Sequence, residues 1–146
     1  MMATQSGRGF VQVADMDSIL RMVREWIGLV SKHDFASASE YLTPVPGAKV
    51  VYSPDVIKEA FGRYSRKYRE ADPSAREAFF PKVSDPTPID KGGENLVIYS
   101  RTRVGIAFVE YDVPIDGRWS DLTAAFFILP VDGRGFGLCL EDVHVL

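Results

Sequence analysis

An α+β fold, with helices gathered early in the chain and an antiparallel sheet late, follows from three features of the sequence. Apolar residues recur at helical spacing between Asp15 and Tyr68, a proline-rich stretch then interrupts the chain, and β-branched and aromatic runs with Asp-Gly turns fill the last third. The expected organisation is a short arm over residues 1–14 followed by a single domain over 15–146.

The arm, small and polar with two glycines, carries Phe10, Val11 and Val13 as residues that can dock. From Asp15 the pattern changes. Ile19, Val23, Trp26, Ile27 and Val30 make one apolar stripe, with Asp15 or Asp17 as the cap. Lys32-His33-Asp34 breaks the helix, and Asp34 caps a second, shorter one with Phe35, Ala38 and Leu42 on its buried side. Prolines 44 and 46 end it. Lys49 to Tyr52 reads as a short strand, and Ser53-Pro54-Asp55 then has the cap, first-turn proline and first-turn acid of a helix start. Val56, Ile57, Ala60, Phe61, Tyr64 and Tyr68 form its apolar stripe, and Lys58, Arg63, Arg66, Lys67 and Arg69 its basic surface. That helix ends near Asp72-Pro73, Ser74 to Phe80 adds a further turn, and Pro81 to Gly93 reads as a movable loop. Leu96 to Tyr99 opens the sheet, running through a bulge at Gly105 into the next strand.

Asp116-Gly117, between two strand-like runs, marks a two-residue hairpin loop, because both of its positions need positive φ. Strict pairing from that loop sets Ile115 against Arg118, Pro114 against Trp119, Asp112 against Asp121 and Glu110 against Thr123. Asp132-Gly133 gives a second turn. Alternation then assigns two faces. Ala107, Val109, Tyr111, Val113, Ile115, Leu122, Ala124, Phe126, Ile128, Cys139, Val143 and Val145, with Glu141 as an exception, should meet the helices. The other face carries Ile106, Phe108, Phe127, Leu129, Phe136, Leu138 and Leu140 at one end, and Glu110, Asp112, Trp119, Asp121, Asp142 and His144 at the other. A second loop of two or four residues preserves these faces, and a loop of three reverses the last strand.

With 146 residues, 46% of them hydrophobic and 12% aromatic, the chain has material for a full core. A net charge of −3 argues against nucleic acid as a partner. No apolar run reaches the ~18 residues of a membrane helix, no signal peptide is expected, and the single cysteine excludes an internal disulfide, so a cytoplasmic location is the expectation. Gly133, Gly135 and Gly137 have the wrong spacing for a dinucleotide fingerprint. No cofactor and no metal are expected.

The helix pair VREWIGLVSKHDFASASEYL, residues 23–42, followed by the C-terminal sheet, resembles the nuclear-transport-factor-2-like group, the SnoaL-like and cystatin-like cone fold. The block VPIDGRWSDLT with LEDVHVL also looks like a bacterial family of uncharacterised domains. The first resemblance implies a pocket between curled sheet and helices, and dimers packed sheet to sheet. It implies no single function, since that fold hosts isomerases, dehydratases and pure binding modules.

The residues with chemical content are Glu110, Asp112, Trp119, Asp121, Asp142 and His144. An Asp112–Asp121 cross-strand pair needs compensation from a raised pKa on one carboxyl, from His144 on the adjacent strand, from an arginine of a loop or from a metal, although no metal motif is present. The alternative is a solvated acidic edge. Trp26, Tyr41, Phe61 and Tyr64 are candidate pocket lining, with core packing as the plainer reading. His33 reads as a solvated junction residue and Cys139 as core. Two functions stay open: a binding module for a small ligand or a protein partner, working as a homodimer, and a small isomerase, dehydratase or hydrolase with a carboxylate/histidine acid–base cluster.

Overall fold

The structure, a computed structural model, describes residues 8–44, 52–71 and 81–145, with the side chains of 64–71 outside the description. Residues 49–51 of the strand expected at Lys49 to Tyr52 and the turn over Ser74 to Phe80 lie outside the described residues, as do the side chains of Tyr64 and Tyr68, and Tyr52 itself is not in a strand. Three helices, α1 (Met16–Ser31), α2 (Phe35–Tyr41) and α3 (Pro54–Ala71), pack on one face of a five-stranded antiparallel sheet. The strands are β1 (Phe10–Val11), β2 (Leu96–Tyr99), β3 (Ala107–Ile115), β4 (Arg118–Val131) and β5 (Gly135–Val145), in the order β1-β5-β4-β3-β2. The α+β expectation holds, and the sheet is open rather than closed into a barrel.

Local chemistry sets the helix boundaries. The Asp15 carboxylate accepts from the Ser18 N–H at 2.8 Å and the Asp34 carboxylate from the Ser37 N–H at 3.1 Å, each satisfying an N–H that a helix start leaves open. Between the two helices His33 adopts φ 58°, and its N–H bonds the Val30 carbonyl at 2.9 Å, so the chain reverses there. Phe10 and Val11 dock as the edge strand against Phe136 and Gly137, whereas Val13 stays exposed.

The helices and sheet meet at Trp26. Its indole lies edge-on to Phe126 at 5.5 Å and tilted over Phe61 at 5.9 Å, and both it and Phe61 are 0% exposed. The indole N–H donates to the Ala38 carbonyl at 2.9 Å, one of the terminal carbonyls that the short α2 cannot bond itself. One residue thereby joins α1 to α2, α3 and the centre of the sheet.

The hairpin of β3 and β4 begins as expected, with Asp116 at φ 51° and Gly117 at φ 76°, and with Ile115 opposite Arg118 and Pro114 opposite Trp119. Beyond that the ladder shifts by two residues, placing Asp112 opposite Thr123 and Glu110 opposite Ala125. The expected pairing of Asp112 with Asp121 is therefore corrected. Ser120 explains the bulge: its hydroxyl donates to the Val113 carbonyl at 2.5 Å and accepts from the Leu122 N–H at 3.1 Å, replacing ladder bonds with side-chain bonds. Ser120→Ala should cost about 1–2 kcal/mol in urea unfolding, the worth of those two bonds. A loss below about 0.3 kcal/mol would mean that the bulge is set by something else.

The second hairpin has a loop of three residues, Asp132-Gly133-Arg134, with Val131 opposite Gly135. The start of β5 is accordingly reversed: Phe136, Leu138 and Leu140 turn to the helices, and Cys139, buried as expected, lies on the other side beside Phe127. A one-residue bulge at Glu141 then restores the phase, so Val143 and Val145 still face the helices and Asp142 and His144 still face away. Glu141 is exposed instead of facing the helices.

Two further corrections concern the middle of the chain. β2 does not continue through Gly105 into β3; the chain turns over residues 100–106, and β2 pairs antiparallel with β3, Leu96 opposite Tyr111. A Cβ at Gly105, where φ is 69°, would stand 2.1 Å from the Ile128 carbonyl oxygen, so this turn requires glycine. The stretch Pro81 to Gly93 is tied down rather than free. Val83 bridges Ile115, the Asp116 N–H bonds the Lys82 carbonyl at 2.9 Å, and the Lys91 ammonium is held by the carbonyls of Pro86, Thr87 and Ile89.

Candidate functional site

The helix-free face of the sheet carries the candidate site. At one end Tyr99, Phe108 and Phe127 form a row of rings, Tyr99 to Phe108 at 5.9 Å and Phe108 to Phe127 at 5.4 Å. With Arg101, Thr102, Arg103, Glu110 and Glu141 they line an open groove of about 390 Å³. Aromatic side chains on a half-covered sheet surface present wide apolar area with little conformational freedom to lose on contact.

The acids lie at the other end. Glu110, Ala125 and Asp142 are opposite one another on β3, β4 and β5, and Asp112, Thr123 and His144 form the next row. His144 Nδ1 is 3.4 Å from Asp142 Oδ2, and its Nε2 is 3.8 Å from Glu110 Oε2. Since β4 separates the two strands that carry Glu110 and His144, their side chains meet above β4, over the short residues Thr123 and Ala125. This accounts for the complete burial of both (0% exposed) on a face without helices. The Tyr99 hydroxyl donates to Glu110 Oε1 at 3.0 Å, Arg63 reaches Asp142 Oδ1 at 3.6 Å, and the Asn95 amide donates to Asp112 Oδ2 at 3.3 Å.

Of the six residues expected to cluster, the structure therefore brings together Glu110, Asp142 and His144, with Asp112 in the adjoining row. Asp121 falls in the bulged stretch and is exposed. Trp119 turns away from the acids: its ring stands edge-on to Tyr111 at 6.0 Å, and its N–H donates to the Asp90 carbonyl at 2.9 Å. Thr123, Ala125, Tyr99, Arg101 and Arg103 belong to this face and were not singled out from sequence: strict pairing assigned no role to the centre of β4, and β2 was expected to run on into β3 rather than turn over residues 100–106.

The three candidate pocket residues whose side chains are described, Trp26, Tyr41 and Phe61, do not meet around a cavity. Trp26 and Phe61 fill the space between helices and sheet as core, and the side chain of Tyr64 lies outside the described residues. Tyr41 is also buried, with its hydroxyl donating to Glu25 Oε1 at 2.7 Å; burial pushes its pKa well above the usual tyrosine range, and the Glu25 carboxylate pushes the same way. The recess that Tyr41 lines lies between α1, α2 and the segment at Asp85 and Thr87.

A second polar network holds the chain together rather than facing a ligand. Arg24 donates from both Nε and Nη2 to the Glu94 carboxylate, and the Tyr111 hydroxyl donates to Glu94 Oε2 at 2.8 Å. Among the described residues no three His, Cys, Asp or Glu side chains are arranged to hold a metal ion, and no helix is long and apolar enough to cross a membrane. Comparison with protein-family models, curated proteins and solved structures finds no match.

Proposed function

We propose that this chain is a protein-binding module that works through the helix-free face of its sheet. The groove floored by Tyr99, Phe108 and Phe127 and edged by charges of both signs carries this reading. The binding surface expected between helices and sheet is thus moved to the opposite face, since Trp26, Phe61 and Phe126 occupy that interior.

A second copy of the chain is the first partner expected. Arg101 and Arg103 line the same groove as Glu110 and Glu141, so a two-fold-related copy sets cation against anion in both directions. The resemblance to the nuclear-transport-factor-2-like group, with its sheet-to-sheet dimers, points the same way. Light scattering should give a dimer at high micromolar concentration, and Phe108→Glu should raise the dissociation constant at least about tenfold by placing a charge in the apolar centre. A wild-type monomer under those conditions would overturn the dimer.

The acid–base enzyme keeps one supporting observation, the placement of His144 between Asp142 and Glu110. Among the described residues it lacks an enclosed pocket: Glu110 edges the open groove, Asp142 and His144 line a separate open recess of about 370 Å³ with Ala60 and Arg63 of α3, and the Asp112–Asp121 pair that motivated it is not formed.

A further inference from the structure

We infer that the acidic site over Thr123 and Ala125, a trench once the His144 side chain that covers it is displaced, is a subsite for a guanidinium group, an arginine side chain presented by a partner protein. This inference rests on the reading of the helix-free face as the binding surface, and adds to it the chemistry of what enters.

Two independent observations support it. The first is charge. The carboxylates of Glu110, Asp112 and Asp142 stand in two adjacent rows, and the guanidinium of Arg63, itself half exposed, reaches Asp142 only at 3.6 Å. The second is Thr123. Its side chain projects from the central strand between Asp112 and His144, it is 0% exposed, and its hydroxyl has no hydrogen-bond partner among the described residues. A buried hydroxyl left unbonded costs on the order of 1–3 kcal/mol, so an N–H that reaches it recovers free energy as well as neutralising charge.

Geometry favours guanidinium over other cations. Carboxylates on β3 and β5 flank the trench from strands about 9.6 Å apart, twice the strand spacing, and a planar fork of five donors can address both sides and the floor together. An ammonium is a point charge with three donors. Among the described residues the acids are not arranged for a metal ion. The Tyr99 hydroxyl fixes Glu110 at 3.0 Å, and the neighbouring Tyr99 and Phe108 rings offer faces on which a guanidinium or its alkyl stem can stack.

The cover over the trench is His144. Its contacts to Asp142 and Glu110, at 3.4 and 3.8 Å, are longer than the ~2.7–3.2 Å of a formed hydrogen bond, so displacing the imidazole breaks no short hydrogen bond to either carboxylate. The incoming guanidinium then takes its place above Ala125, pairing with Glu110 and Asp142 and donating to the Thr123 hydroxyl.

The test is an amide-detected NMR titration of the full chain, held at a concentration where light scattering gives a monomer so that the face is open, with three probes: acetyl-arginine amide, its neutral isostere acetyl-citrulline amide, and the peptide acetyl-Leu-Arg-Leu amide. Acetyl-arginine amide should give saturable shifts at Thr123, Ala125, Asp142 and His144, and acetyl-citrulline amide none. Affinity should fall at least about tenfold in Glu110→Gln/Asp142→Asn and about threefold or more in Thr123→Val, with the amide spectra otherwise retained. The peptide should bind at least about tenfold tighter, with shifts extending to Phe108 and Phe127, because its leucines reach the aromatic floor. Equal response to the citrulline probe, or unchanged affinity in the double variant, would overturn the subsite. Equal affinity for peptide and single residue would overturn a partner protein as the source and assign the site to a free guanidino compound. The wider reading of the face is tested separately by the association state of Phe108→Glu, so either can fail alone.

Discussion

Trp26→Ala should destabilise the fold by about 3–5 kcal/mol, the range for deleting a large buried aromatic side chain. Three losses coincide. The indole contacts to Phe61 and Phe126 vanish, a cavity opens where α1, α3 and the sheet converge, and the Ala38 carbonyl at the end of α2 loses its donor. Because a domain of this size is stable by only about 5–15 kcal/mol, the variant should lie close to the unfolding threshold. Trp26→Phe keeps most of the volume and loses the hydrogen bond, so it should cost about 1–2 kcal/mol. Urea unfolding of both variants gives the comparison. A cost below about 2 kcal/mol for alanine would show that the three helices are joined to the sheet by other contacts.

The residues of this core were legible in the sequence because they obey periods that tertiary structure did not alter. Trp26 lies on the 3.6-residue stripe of α1, and Phe126 on the two-residue alternation of β4. Asp15, Asp34 and Asp116-Gly117 were legible for a different reason: each is a short-range device whose partner lies within three residues. What was not legible is the phase of the strands between turns. The bulge at Ser120 depends on one hydroxyl finding a carbonyl on the neighbouring strand, and the bulge at Glu141 only offsets the reversal begun by the three-residue loop. Neither leaves a compositional mark, since serine and glutamate are ordinary strand-surface residues. The consequences for the site were unequal. The two-residue shift kept Glu110 and Asp112 on their expected face while separating Asp112 from Asp121, and the paired reversals left Asp142 and His144 in place while exchanging Leu138 and Cys139. The acidic end was thus found with a wrong internal pairing, and its floor of Thr123 and Ala125 was missed.

Glu94→Gln should cost about 2–3 kcal/mol at neutral pH and flatten the acid limb of the stability profile. The Glu94 side chain is 8% exposed and lies between Arg24 and the hydroxyl of the buried Tyr111, a residue of β3, tying the segment before β2 to α1 and to the sheet. Burial alone would raise its pKa, but the hydrogen bonds from Arg24 and Tyr111 outweigh it and hold the carboxyl below its usual range. Breaking a fully buried pair costs roughly 3–5 kcal/mol, and the partial exposure of Arg24, at 30%, reduces the figure. The sign of the pH dependence follows from the direction of the shift. A carboxyl whose folded pKa lies below its unfolded value of about 4.3 contributes stability that is fully present above that value. It is lost as pH falls from there through the folded pKa, where protonation removes the acceptor from both partners. Urea unfolding between pH 7 and pH 2 should therefore show a wild-type decline that is shallower in Glu94→Gln. The pair Arg24→Met/Glu94→Leu should be less destabilised than either single change, because neither charge is then left buried alone. Parallel acid limbs in wild type and Glu94→Gln would show that this network does not contribute to the acid sensitivity of the fold.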